Sequence, residues 1–182
     1  MAEIIPVLLI TGPPGAGKTS VALEISELLD HARIAHALVD LDSLRWCYPR
    51  PAHDPFRVQL ALKNLAAVWS NFQAAGATRL VLADVLEARE ELEGFHIAVR
   101  NGTFFVVRLQ ASVATLAERL RGREIGSGLE RMLSRTVELA GQMEQTRVED
   151  LLVNTEGKSV TAVAREVLVR SGWLAVSDVE LL

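Results

Sequence analysis

Residues Gly12, Pro13, Pro14, Gly15, Ala16, Gly17, Lys18 and Thr19 fit the spacing G-x-x-x-x-G-K-[ST] without a gap or substitution. Glycines at 12, 15 and 17 permit positive backbone dihedrals and close approach, so successive N–H groups can turn inward around a phosphate. Lys18 adds a compact charge within reach of the terminal phosphates, and the Thr19 hydroxyl is placed to ligate magnesium. Followed by Ser20, these residues open a helix whose positive end faces the same anion. The ligands expected of this stretch are a phosphate chain and Mg2+.

Further candidates stand where later apolar runs end. Residues 34–39 lead into Asp40, Leu41 and Asp42. If the chain stays extended, alternation points both carboxylates to one side at a strand's C-terminal end, the edge at which open α/β sheets bind ligands. One carboxylate there can take the proton of a substrate hydroxyl, and the other can hold magnesium through water. A helix N-cap followed by a turn residue is the alternative. Asp84, which closes Leu80, Val81, Leu82 and Ala83, is a second metal candidate, again with capping as its alternative. Arg45 and Arg57 flank a loop with prolines at 49 and 51, and either grip an anionic substrate or lie solvated at the surface.

Arg119, Arg121 and Arg123 stand among the glycines Gly122, Gly126 and Gly128. Arginines beside such hinges suit a lid over about 121–130 that neutralises charge on a transferring phosphoryl group and excludes water. A basic helix end favoured by the helix dipole is the plainer reading.

Periodicity supplies the elements that must hold these groups. Val7, Leu8, Leu9 and Ile10 form a buried strand before the glycine loop, and Val21, Ala22, Ile25, Leu28 and Leu29 recur at helical spacing after it. Asp54 reads as an N-cap with Pro55 as first helical residue, opening a stripe from Val58 through Ala61, Leu65 and Trp69 to Phe72. Residues 87–100 read as a charged helix and 103–109 as a buried strand. Ser112 caps a helix with Val113, Leu116, Ala117 and Leu120 inward, and a further helix covers 129–148. A last strand at 150–153 precedes a loop, 154–158, where an adenine could rest against Thr155 and Gly157, and a helix at 160–170.

The chain of 182 residues suits one domain, 1–182, and its 49% hydrophobic and 23% charged residues are the balance of a globular protein. A net charge of −4 argues against a broad nucleic-acid surface. The single cysteine, Cys47, cannot form an internal disulfide and fits a reducing compartment. No run reaches membrane-spanning length, and the apolar N-terminal stretch reads as a strand rather than a signal peptide, so the cytoplasm is the expected location. The four histidines show no metal-ligand spacing. A small-molecule acceptor is the expected partner, with no nucleic acid or membrane, for a monomer or homodimer.

Taken together, the glycine loop, the Asp40–Arg45 stretch and the Arg119–Arg123 stretch resemble the P-loop small-molecule kinases of the nucleoside-monophosphate-kinase-like fold. That group includes chloramphenicol phosphotransferase, shikimate kinase, gluconate kinase and adenylylsulfate kinase. The resemblance implies a three-layer α/β fold, a five-stranded parallel sheet of order 2-3-1-4-5 with helices on both faces, and a small arginine-bearing lid. It implies Asp42 as general base, Asp40 as a water-mediated magnesium contact, Arg119 near the adenine and Arg123 near the phosphates. Ala83-Asp84-Val85 is similar to a segment of chloramphenicol phosphotransferase. Two features depart from the group: the glycine signature that shikimate kinase carries after its third strand is absent, as is the gluconate-kinase lid histidine motif.

The expected activity is therefore transfer of the γ-phosphoryl group of ATP to a hydroxyl of a small molecule. A nucleoside monophosphate kinase, which needs an anion clamp and no general base, is one alternative. A non-kinase ATP-binding protein or ATPase is the other.

Overall fold

The computed structural model describes residues 3–123 and 128–180. In chain order the elements are β1 (Ile5–Thr11), α1 (Lys18–His31), β2 (Ala37–Asp40), α2 (Leu41–Leu44), α3 (Val58–Ala74), β3 (Leu80–Ala83), α4 (Leu92–Ala98), β4 (Gly102–Gln110), α5 (Val113–Arg123), α6 (Leu129–Thr146), β5 (Leu151–Asn154), α7 (Val160–Arg170) and α8 (Val176–Glu180). The five strands form one sheet of order β2-β3-β1-β4-β5, with every neighbouring pair parallel. This is the order that the resemblance implies.

The central strand explains the layering. In β1, Val7 lies in register with Leu80 of β3 and with Phe104 of β4, so the strand is paired on both edges. Its side chains alternate between two cores. Leu8 and Ile10 pack with Val21 and Ile25 of α1 and with Val163 and Val167 of α7. Val7 and Leu9 face Ala61, Leu65 and Trp69 of α3 and Phe95 of α4. A strand covered on both faces has no place for polar alternation, which is why β1 is an almost unbroken apolar run.

Several boundaries differ from the sequence reading for local reasons. Helix α3 begins at Val58 rather than just after Asp54. Asp54 still serves the helix, since its two carboxylate oxygens accept the Val58 and Leu60 N–H groups at 2.8 and 3.0 Å, while residues 55–57 turn and Arg57 adopts a positive φ of 58°. The charged stretch 87–100 is a 3-10 turn at Arg89–Glu91 followed by α4. In α5, Leu116 and Leu120 are buried as expected, whereas Val113 is exposed in the first turn.

Candidate active site

The glycine loop joins β1 to α1 at the C-terminal edge of the sheet. A Cβ at Gly12 (φ 145°) would lie 2.5 Å from the Leu109 carbonyl oxygen, and one at Gly15 (φ 84°) 2.7 Å from the Leu116 carbonyl oxygen. Both positions therefore require glycine for close packing against β4 and α5, quite apart from any ligand. The Ala16 N–H closes the loop on the Pro13 carbonyl at 3.1 Å. Lys18 folds back over it, donating from Nζ to the carbonyl oxygens of Gly12 at 2.9 Å and Pro13 at 3.4 Å. Gly17 is the left-handed residue that starts α1, so Lys18, Thr19 and Ser20 occupy its first turn.

The Thr19 hydroxyl donates to Asp40 Oδ2 at 2.6 Å. Asp40 is at the same time the N-cap of α2, its Oδ1 accepting the Asp42 N–H at 3.0 Å. The chain is consequently not extended from Asp40 to Asp42, and the two carboxylates do not share a side by strand alternation. A local side-chain hydrogen bond turns the backbone into a short helix instead, and this turn gives Asp42 its position. The Thr19 hydroxyl and Asp40 carboxylate are hard oxygen donors of the kind magnesium takes. Among the described residues no group of three or more His, Cys, Asp or Glu side chains could hold a metal. Magnesium is commonly held by one or two protein groups plus phosphates and water, a mode that the Thr19 and Asp40 oxygens suit.

Asp84, at the end of β3, is buried, and Arg45 Nη2 donates to both of its oxygens at 2.8 Å. Burial outweighs the attraction of Arg45 and pushes the Asp84 carboxyl up to about 6. Arg45 Nε lies 3.7 Å from Asp42 Oδ1, so one guanidinium stands between the two aspartates. Sequence reasoning did not find this pairing, because the partners are 39 residues apart and no local pattern joins them.

Three hollows line up along this edge. The first, about 410 Å3, is lined by Gly15, Gly17, Arg119, Thr155, Lys158 and Ser159 among others. Here Arg119 is fixed by donating to the Thr155 hydroxyl at 3.0 Å and the Thr155 carbonyl at 3.1 Å. The second, about 130 Å3, lies on the loop itself and brings Pro14, Gly17, Lys18, Thr19 and Ser20 together with Asp42. The third, about 430 Å3, is lined by Arg45, Asp84, Val85, Glu87, Phe95 and Arg135 among others. Val85 borders both the second and the third, while Gly15, Gly17 and Ser20 border both the first and the second. Lys18, Thr19, Asp40, Asp42, Arg45 and Asp84 are thus gathered in one place. Arg57 lines none of these three hollows. The side chain of Arg123 and residues 124–127 of the expected lid lie outside the described residues.

A strand, glycine loop and helix feeding a five-stranded parallel sheet define the P-loop α/β class of nucleotide-binding fold. The AAA domain family's sequence profile matches residues 8–150, and the chain belongs to that family. Among curated proteins, the probable disease resistance protein RPP1 of Arabidopsis thaliana is 38% identical over 56 residues, which is 30% of this chain. The match spans 4% of that relative's length. Among solved structures, the Deinococcus radiodurans tunicamycin resistance protein superposes with a TM-score of 0.64 at 18% identity, covering 92% of this chain and 96% of that one. A gluconokinase from Sinorhizobium meliloti 1021 gives 0.62 at 19% identity over 97% of both chains. Shikimate kinase from Acinetobacter baumannii, in complex with shikimate, gives 0.60 at 18% identity over 95% and 96%. These likenesses are to the fold, over nearly the whole chain. No helix among the described residues is long and apolar enough to cross a membrane.

Proposed function

We propose that this protein is an ATP-dependent kinase that transfers the γ-phosphoryl group to a hydroxyl of a small molecule. The observation that carries the reading is the position of Asp42, which borders the hollow formed by Lys18 and Thr19 while standing beside Arg45 of the third hollow. The names of two structural neighbours, a gluconokinase and a shikimate kinase, support the same reaction class.

In this reading the triphosphate lies on the loop with its nucleoside in the hollow bordered by Arg119 and Thr155, and the acceptor enters the hollow bordered by Arg45 and Asp84. Thr19 and Asp40 would hold magnesium, which when bound would supply positive charge against the phosphates. Asp42 accepts the acceptor's hydroxyl proton as that oxygen attacks the γ-phosphorus. The bond from the γ-phosphorus to the bridging oxygen breaks, and ADP leaves. Lys18 compensates the charge that builds on the transferring group, a task that preorganised cations perform without reorganising. Arg123 is proposed to assist from the lid, as the resemblance implies.

Purified protein with ATP and magnesium, offered panels of sugars, nucleosides and hydroxylated aromatic compounds, tests the proposal. ADP release that depends on one acceptor class, with a phosphorylated product, supports it. Hydrolysis at the same rate whatever acceptor is added assigns the protein to the ATPases instead.

A further inference from the structure

The third hollow has a charge arrangement that constrains what can occupy it. Both guanidiniums that border it are already matched by carboxylates. Arg45 gives both of its Asp84 hydrogen bonds from Nη2 and lies beside Asp42, while Arg135 pairs with Glu87 and, at 3.0 Å, with Glu138. A third lining carboxylate, Glu91, has its carboxyl raised, chiefly by burial and further by the nearby Glu87 charge. The lining therefore carries two arginines against Asp84, Glu87 and Glu91.

An incoming carboxylate or phosphate would have to compete with Asp84 for Arg45 or with Glu87 for Arg135, and would meet like charge in doing so. The rest of the wall is apolar. Phe56, Val58, Leu62, Val85 and Phe95 border the same hollow. Phe56 is 78% exposed, and the loop that carries it also exposes Trp46 and Tyr48. An exposed aromatic ring such as Phe56, bordering a hollow with few unmatched charges, suits a ligand with an apolar body.

We infer that the acceptor is an uncharged alcohol with an apolar body, and that carboxylate and phosphate-bearing acceptors are excluded by the internally paired arginines. The inference rests on the kinase reading for the word acceptor, but the occupancy of the hollow can be measured without turnover.

The test uses matched pairs: 3-phenyllactate with its methyl ester, thymidine monophosphate with thymidine, and gluconate with sorbitol. Binding is measured by calorimetry in the presence of magnesium and a non-hydrolysable ATP analogue, and transfer is measured separately with ATP. The expected result is that neutral members bind at least about tenfold more tightly than their anionic partners, with the aromatic ester ahead of sorbitol. Asp84→Asn should release Arg45 and narrow that ratio by about tenfold. Phe56→Ala, at an exposed site, should weaken the aromatic ester several-fold and leave affinity for the ATP analogue unchanged. Equal or tighter binding of the anionic members, no binding by any neutral member, or no effect of both variants overturns the inference. Neutral members that bind as expected but are never phosphorylated would sink the kinase reading and leave this one standing. Efficient transfer to a hydroxyl of gluconate would do the reverse, and transfer to the phosphate of thymidine monophosphate would sink both.

Discussion

Thr19 and Asp40, twenty-one residues apart, are joined by a 2.6 Å hydrogen bond from the threonine hydroxyl to the carboxylate that also caps α2. The first turn of α1 and the end of β2 are thereby locked to each other. If these oxygens hold magnesium, Asp40→Ala should lower apparent magnesium affinity by about 10- to 100-fold. A magnesium titration of ATP-analogue binding reads this directly, and an unchanged midpoint would remove Asp40 from the metal site.

Lys18 reaches over the loop toward the Gly12 and Pro13 carbonyls. In the kinase reading Lys18→Ala lowers kcat by about 10²- to 10³-fold, the scale on which preorganised charge acts on a transition state. Steady-state turnover at saturating ATP is the measurement.

The loop glycines should differ in their tolerance. At Gly12 an added methyl meets the Leu109 carbonyl at 2.5 Å, whereas at Gly17 (φ 96°) it meets nothing within 4 Å. Gly17→Ala should cost about 1–2 kcal/mol from backbone conformation alone. Gly12→Ala carries an added backbone clash and should cost clearly more, as read from denaturant midpoints.

Much of this architecture is legible in the chain because the relevant signals are local. The glycine loop is contiguous, and the apolar runs that become β1, β3 and β4 are bounded by turn residues or by aspartate. Helix α7 lies at Val160–Arg170, where its periodicity places it, with Ser159 accepting the Ala162 N–H as cap. What was not legible depends on contacts between distant residues. The stretch 84–88 stays irregular because the Leu86 N–H is taken by the Thr11 hydroxyl and Glu87 by Arg135, 75 and 48 residues away. Likewise nothing near Arg45 in the chain announces Asp84 as its partner. The turn at Asp40 does carry a local signal, since an aspartate followed by Leu-Asp-Ser is a recognisable capping sequence.

Asp84 should mark the pH dependence of stability. Its folded-state carboxyl is raised from 3.8 to about 6, so the native protein holds this proton more tightly than the unfolded chain. The stability contributed by the neutral form is fully present below pH 3.8 and is lost as pH rises through 6, a change on the order of 3 kcal/mol. Asp84→Asn removes this titration. The stability difference between variant and wild type should therefore shift in the variant's favour between pH 4 and pH 7, and a flat difference would contradict the assignment.

Arg108 in β4 is buried and ion-paired with Glu149 at 2.9 Å and Glu144 at 2.8 Å. Removing the guanidinium leaves Glu149, itself only 10% exposed, without its counter-charge. Arg108→Ala should cost about 3–5 kcal/mol, while Glu144→Gln, at a 57% exposed side chain, should cost less than about 1 kcal/mol. Urea unfolding of the two variants distinguishes a buried charge pair from a surface one.

In the proposed reaction Asp42 takes a proton from an acceptor hydroxyl beside the phosphate loop. Single-turnover transfer from ATP to an acceptor identified by screening, compared between wild type and Asp42→Asn, tests it most directly. The expected result is a loss of about 10²- to 10⁴-fold in the transfer rate with ATP affinity retained. Transfer by Asp42→Asn within a few-fold of wild type would contradict it.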